Sequence, residues 1–589
     1  MASALTWLAP AHADRALYLI GRLQNSCISE DCHIAVGFLN RSLDSRVSPC
    51  DDIYGFACGL WGRTDDAGAH LSYRERLYED YVRLAHDALI AKASVKASAR
   101  PEVHQLIHIY GSCLRFFTDR TTDLRRLWEA AGVDAKEWLT TTNFSHLFRL
   151  VVDSTLQNSL PSVLHVIPAI NSQVAIVLTG RSLSMHALVP DLVDQLLSEA
   201  SVALGMNLSK EGLSADVLEL EEPINNITSS WRRQDAVLSL PVETLDVPSL
   251  GVAWGPLLNS TGELKEVRCN NAAAVRSILT TLASARRLKA AALYTLLVPF
   301  SAFLGLEYCV AELRPHLDAG IMRKMCLGNT EFLFPRTFHL ALSSNFEGNT
   351  SGANMTQMWT RIQLAGSKML TIARGLKLNG HVLKAVSLSD IRATTQGGTS
   401  TEPLGASYGD DFVANLIVFT GATGRVVDVS EMLVYELRRT RFVPTAYLAP
   451  DFYYAKATEP SVNYATMGAF VAKMLFNRSL PEHRLPGHTT CFIRYAKEHL
   501  SLAVPEQHEY VDRLLRTSWA MEVARAASHG DNTTLADKEP LAQLFYLRFA
   551  EPYCGETETP RVAALRYAAR TSASFAEAFG CPQPEPVGC

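Results

Sequence analysis

Twelve cysteines, an even number, constrain the fold of this 589-residue chain more than any other feature. They crowd toward the two ends: Cys27, Cys32, Cys50 and Cys58 near the start, Cys554, Cys581 and Cys589 near the finish. No Cys-x-x-Cys pair occurs, which argues against a zinc ribbon or a thioredoxin-like site. An even set at the ends reads as disulfides that join the termini. Such bridges form and persist in oxidising compartments. Nine Asn-x-Ser/Thr sequons agree with an extracellular, glycosylated protein: Asn40, Asn143, Asn207, Asn226, Asn259, Asn349, Asn354, Asn477 and Asn532.

The bulk numbers fit a folded chain of more than one domain. Hydrophobic residues make up 48% and charged residues 20%, enough apolar content for a large core. The formal charge of −5 gives no footing for nucleic acid or for an anionic membrane surface. The start holds a short apolar run, Ala4 to Ala9, before Ala11-His12-Ala13. That has the look of a cleavage site without a basic leader. The apolar stretch Ala290 to Leu306 is short for a membrane span and contains Pro299, so we read it as a core helix.

Helical spacing dominates residues 70 to 380. Arg74 to Ala93 carries Leu77, Tyr81, Leu84 and Ala88 on one stripe. Asp191 to Leu204 and Ala272 to Leu306 behave in the same way, and Val174 to Leu178 reads as a short buried strand. After about residue 390 the texture changes. Gly397 to Thr401 reads as a loop, and Val413 to Phe419 and Arg425 to Val429 as strands. Helical patterns return at Tyr464 to Phe476, Glu509 to Ala527 and Ala573 to Ala578. The expected organisation is an N-terminal segment, 1–60, tied to the C-terminal lobe, a helical lobe, 61–390, and an α+β lobe, 391–589.

Three stretches carry a resemblance. The first is Pro49-Cys50-Asp51-Asp52-Ile53-Tyr54-Gly55-Phe56-Ala57-Cys58-Gly59-Leu60-Trp61, preceded by Cys27 and Cys32. The second is Gln543 to Ala550, then Cys554-Gly555, then Phe575 to Cys581. The third is Asn463-Tyr464 followed by Gly468. Together they resemble the neprilysin and endothelin-converting-enzyme family of zinc metallopeptidases. The resemblance implies a mainly α fold with small β elements, in which a large helical lobe and a thermolysin-like α+β lobe enclose a cavity. It also implies the bridges Cys27–Cys32, Cys50–Cys581, Cys58–Cys554, Cys113–Cys326 and Cys491–Cys589. Cys269 and Cys309 are then left to pair by elimination.

The family's chemistry rests on His-Glu-x-x-His, where two histidines on one helix face bind zinc and the glutamate serves as general base. Counted from Asn463-Tyr464, this chain has Lys473-Met474-Leu475-Phe476-Asn477 there. Lys473 and Asn477 replace the histidines and Met474 replaces the base. The third family ligand aligns with Glu509, but Arg513 stands where its supporting Asp should be. Glu431-Met432 stands near the place of the substrate-binding Asn-Ala pair. Glu558 takes the place of the transition-state histidine, and Ala564 that of the substrate-binding arginine, with Arg561 and Arg566 close by. Zinc, the cofactor of active relatives, is therefore not expected here. His104 and His108 have the spacing of a metal pair but no third ligand. Gly421 to Gly424 lacks the Lys-Ser/Thr of a phosphate loop.

The resulting expectation is a catalytically inactive extracellular member that binds a peptide or protein. It would be secreted, or the ectodomain of a type II membrane protein whose anchor lies outside this chain. Two readings stay open beside it: a zinc endopeptidase acting on short peptides, and a glycosylated scaffold without a cavity ligand. The sequence leaves the oligomeric state open.

Overall fold

The computed structural model describes residues 9–62, 72–94, 101–119, 122–158, 160, 162–167, 174–180, 182–183, 191–230, 238–258, 266–335, 337–338, 341–342, 357–366, 368–369, 408–423, 451–479, 508–529, 539–556 and 559–584. Among the described residues the fold is mainly helical, with one small sheet. Two compact units are formed. One is Met1–Ala85, Leu342–Gly398 and Thr440–Cys589; the other is His86–Ala341 and Thr399–Arg439.

The chain opens with α1 (Ala9–Ser26), α2 (Glu30–Ser42), α3 (Ile53–Cys58) and α4 (Tyr73–Ser94). In α4, Leu77, Tyr81 and Ala88 are buried, as their spacing requires. The second unit continues with α5 (Pro101–Thr118), α6 (Leu124–Ala131), α7 (Ala135–Thr140) and α8 (Phe144–Asn158). Next come β1 (Leu164–Ile167), β2 (Val174–Thr179), α9 (Leu192–Leu204), α10 (Leu213–Ser230), β3 (Leu238–Pro241), α11 (Trp254–Leu258) and β4 (Glu266–Cys269). The strands lie in the order β1-β2-β4-β3, with β2 and β4 parallel and both outer pairs antiparallel. The strand expected at Val174 is thus an inner strand of the sheet.

Residues 272–306 form two helices, α12 (Ala272–Ala283) and α13 (Leu288–Leu313), rather than one periodic stretch. The break at Ser284–Arg287 ends on Arg287, whose guanidinium is held by Asp216 and by the Glu211 carbonyl. Every residue of α13 from Ala290 to Leu306 is buried. A helix apolar on all sides either crosses a membrane or forms the centre of a core. Here it packs against α7, α8, α9 and α10 within its unit. Among the described residues it is the one helix long and apolar enough to cross a membrane. Its buried Glu307 is paired with Arg314 at 2.7 Å, and Arg314 also donates to the Phe116 carbonyl at 2.8 Å. Such pairing is what allows a carboxylate to be buried there. α14 (Ala319–Leu333) follows.

Val413–Phe419 is not a strand. It lies in α15 (Phe412–Thr423), which packs against α5, α6 and α8. A short apolar run buried on all sides has no diagnostic period, so strand and helix look alike in the sequence. Asp411 decides the matter: its Oδ1 accepts from the Val413 and Ala414 amides at 3.0 and 3.1 Å, as a helix N-cap does. Gly421 to Thr423 are the last turn of that helix. Gly397–Thr401 and Arg425–Val429 lie outside the described residues.

The first unit is completed by α16 (Pro460–Asn463), a π turn at Tyr464–Gly468, α17 (Ala469–Ser479), α18 (His508–His529), α19 (Glu539–Ala550), α20 (Pro560–Thr571) and α21 (Ala573–Phe579). α19 is its axis, buried at every position from Leu541 to Ala550. It carries a buried cation, Arg548, against the buried Glu551. Arg548 also donates to the Asp451 carbonyl at 2.7 Å and lies 5.2 Å from the centre of the Tyr454 ring. Burial pushes the Glu551 carboxyl up to about 7, with Arg548 pulling the other way.

Four of the expected disulfides are formed: Cys27–Cys32, Cys50–Cys581, Cys58–Cys554 and Cys113–Cys326. Cys491 and Cys589 lie outside the described residues. The pairing of Cys269 with Cys309 is not formed. Cys269 ends β4, Cys309 sits on α13, and both are free thiols. Elimination ignores geometry, whereas a bridge needs Cα atoms about 4.4–6.8 Å apart. Burial raises the pKa of both thiols, which favours the inert protonated form.

Candidate functional site

The segment expected to correspond to the family's zinc helix, Lys473 to Asn477, lies in α17, reached through α16 and the π turn. Asn463 fastens the entry: its Oδ1 accepts from the Tyr454 amide at 2.8 Å and its Nδ2 donates to the Tyr454 carbonyl at 2.7 Å. Thr466, inside the π turn, donates to the Phe452 carbonyl at 2.6 Å. A π turn adds a residue to the helical repeat and so resets which side chains face the neighbours. α17 then packs on α18, and α18 on α20.

Lys473 is half-buried on α17. Its ammonium donates to the Tyr553 hydroxyl at 2.8 Å. The same Nζ lies 5.2 Å from the centre of the Tyr553 ring and 5.8 Å from that of Phe549. The cation therefore sits in an aromatic corner built by α19 and the turn after it, with a hydroxyl as acceptor. Tyr553 is buried and receives a second cation on its ring, Arg561 at 5.3 Å, which is itself paired with Glu556. Burial alone would push the Tyr553 phenol up. The charges of Lys473 and Arg561, with hydrogen bonds from Lys473 and Thr517, outweigh it and bring the phenol below its ordinary value.

This set does not fit a zinc ion. Zinc needs lone pairs from imidazole, thiolate or carboxylate. An ammonium has none to give and adds a positive charge at the same place. Met474, half-buried beside it, has no oxygen or nitrogen that could take a proton from water. Asn477 and Glu509 lie on α17 and α18, and their side chains fall outside the description. Among the described residues, no three His, Cys, Asp or Glu side chains gather as metal ligands would.

The other expected positions fall partly outside the described residues. Ala564 is fully buried on α20. The two arginines near it serve the fold: Arg561 pairs with Glu556, and Arg566 grips Asp52 with two hydrogen bonds of 3.0 and 2.9 Å. Thr559 caps α20 by accepting from the Val562 amide, and Pro560 opens that helix. Glu431, Met432 and Glu558 lie outside the described residues. His104 and His108 are on the exposed side of α5, and His108 faces Asp410 at 3.7 Å. Sequence reasoning missed Tyr553. The one available signal was an aromatic residue directly before Cys554 in the closing signature.

Of the sequon asparagines, Asn40, Asn143, Asn207 and Asn226 are exposed. Asn259, Asn349, Asn354 and Asn532 lie outside the description, as does the side chain of Asn477.

Comparison with known proteins gives the fold a reference. The zinc metalloprotease Zmp1 of Mycobacterium tuberculosis, in its open state, superposes with a TM-score of 0.59 over 92% of this chain and 98% of that one, at 12% identity. PepO of Lactobacillus rhamnosis covers 92% of this chain and 98% of its own, at 13% identity and a TM-score of 0.48. In sequence, neprilysin-21 of Caenorhabditis elegans is 29% identical over 89 residues, which is 15% of this chain and 12% of that protein. The matched stretch is thus a small part of that relative's length. No family model matches the chain.

Proposed function

We propose that this chain, a neprilysin homologue with the fold of the neprilysin and PepO zinc metallopeptidases, holds no zinc where those peptidases hold theirs, and binds peptides or proteins outside the cell without cutting them. The observation that carries this reading is the Lys473–Tyr553 hydrogen bond of 2.8 Å. It commits to the core of the unit the very side chain that aligns with the first metal ligand. In metallopeptidases the metal supplies both the Lewis acid and the activated water. With Lys473 at the first ligand position and Met474 at the base position, both contributions are lost together. The four disulfides support an extracellular setting, as do the exposed sequons Asn40, Asn143, Asn207 and Asn226. The binding role rests on the fold: a peptidase-like scaffold braced by disulfides needs no metal to persist.

Incubating the purified protein with a mixture of short peptides, followed by mass spectrometry, tests both halves. The peptides should remain intact with and without added zinc, and at least one should be retained saturably. Cleavage abolished by a chelator would overturn the inactive reading, and absence of any saturable ligand would overturn the binding role. The triple variant Lys473→His, Met474→Glu, Asn477→His should stay inactive, because Arg513, Glu558 and Ala564 also depart from the family pattern.

A further inference from the structure

A groove of about 470 Å³ opens between α6, α7, the turn that follows α9 and the first turn of α13, wholly within the unit of His86–Ala341. Its apolar lining comes from Trp128, Leu139, Leu204 and Met206. Its charges balance: Arg125, Lys136 and Lys289 stand against Glu129, Asp134 and the Glu211 that pairs with Lys289 at 3.3 Å. A partly apolar lining without net charge suits a neutral occupant that has an apolar face and polar edges. A pyranose ring has that character, with C–H groups on its face and hydroxyls at its rim.

A source of such an occupant stands at the edge of the groove. Asn207, of the sequon Asn207-Leu208-Ser209, directly follows the lining residue Met206. The same turn leads to Glu211, the partner of the lining residue Lys289. The turn is fixed at both ends. Gly205 closes α9 with a φ of 64°, the Met206 amide donates to the Ser201 carbonyl at 3.0 Å, and the Glu211 amide donates to the Asn207 carbonyl at 3.0 Å. Asn207 and Ser209 are exposed. The Asn207 Oδ1 accepts from the Lys210 amide at 2.8 Å, so the carboxamide is oriented through its oxygen. Its nitrogen, the atom that carries an N-linked sugar, stays open for attachment among the described residues. A glycan that starts from a fixed point beside a groove loses less freedom on settling there than one on a loose tether.

We propose that Asn207 carries an N-linked glycan whose first sugars lie in this groove, against Leu139, Leu204 and Met206. Attachment is by transfer from a lipid-linked oligosaccharide. The Asn207 Nδ2 bonds to the anomeric carbon of the first N-acetylglucosamine and loses a proton, and the lipid diphosphate leaves. A cellular transferase performs that step; this chain supplies the acceptor. The inference rests on the extracellular setting proposed above and is independent of zinc. The other exposed sequons are placed differently. Asn40 lies on α2 and Asn226 on α10, neither next in sequence to the lining, and Asn143 is separated from the lining residue Thr140 by Thr141 and Thr142.

The test uses the full chain secreted from a eukaryotic host that makes oligomannose glycans. The native protein is treated with an endoglycosidase that cuts between the two core sugars, and mass spectrometry follows release at each sequon. Asn207 should be occupied. Leu139→Ser, on the wall opposite the sequon, should speed native trimming at Asn207 about tenfold and leave the occupied sites outside the groove unchanged. Met206→Ser serves the same purpose if Leu139→Ser does not fold. The proposal is overturned if Asn207 is bare while other sequons are occupied, if the folded groove variant trims Asn207 at the wild-type rate, or if the faster trimming appears at Asn143 alone. A chain bare at every sequon would overturn the extracellular setting along with it.

Discussion

Lys473 is a cation held inside its unit by aromatic neighbours. Its ammonium is held by one hydroxyl and two aromatic rings. Replacing it with methionine keeps the stem and removes the charge. Lys473→Met should cost about 2 kcal/mol of stability, from one charge-assisted hydrogen bond and its cation–π contacts. The Tyr553 phenol should then titrate at higher pH, read by difference absorbance against Tyr553→Phe. An unchanged titration would mean that Lys473 does not set the state of Tyr553. Glu459 offers a second test at this scale. Its buried carboxylate accepts from the Ile28 amide and from the amide and hydroxyl of Ser29, which is itself the N-cap of α2. Burial acts to raise its pKa, but these donors hold it below the ordinary value of 4.5. A depressed folded-state pKa gives stability that is present above pH 4.5 and lost as the pH falls through the folded value. Glu459→Gln should therefore cost about 1–3 kcal/mol at neutral pH, and the gap to wild type should close in acid. Melting temperatures across pH 3 to 7 would show it (an acid window of about the carboxylate range).

At the scale of elements, α15 is the instructive case. Its run Val413–Phe419 is buried on nearly every side, so the pattern of its side chains contains no period to read. The information lay one residue outside the helix, in Asp411. Asp411→Ala should lower stability by about 1 kcal/mol, measurable as a small fall in melting temperature; no change would mean the cap is unimportant there. The long helices were legible for the opposite reason: α4 and α9 alternate buried and exposed faces at helical spacing. β1, β3 and β4 were not legible, because strands of four residues are too short to establish a period. At the site, the helix that carries Lys473 and Met474 was legible in the pattern from Tyr464 to Phe476. The part played by Tyr553 was not, because it arises only when α17 packs beside the turn after α19. The free state of Cys269 and Cys309 was hidden for a related reason, since spacing along the chain says nothing of distance in space.

For the molecule as a whole, two bridges within the first unit close nested rings of chain. Cys50–Cys581 and Cys58–Cys554 join segments more than 490 residues apart. Once either has formed, the other closes only a short ring, so the two are not independent. In the chain-entropy description, removing one costs the short-ring term alone, while removing both also releases the long ring. Cys-to-Ser replacement of both bridges should thus cost more than the sum of the two single losses, by about 2 kcal/mol, in chemical denaturation. Strict additivity would argue against that description. On the function proposed above, the same bracing lets the peptidase-like fold persist without a metal. The most direct test of that reading is the metal content of the purified protein after equilibration with zinc and dialysis. We expect far less than one equivalent of zinc per chain. One tightly held equivalent, released by a chelator, would contradict the account.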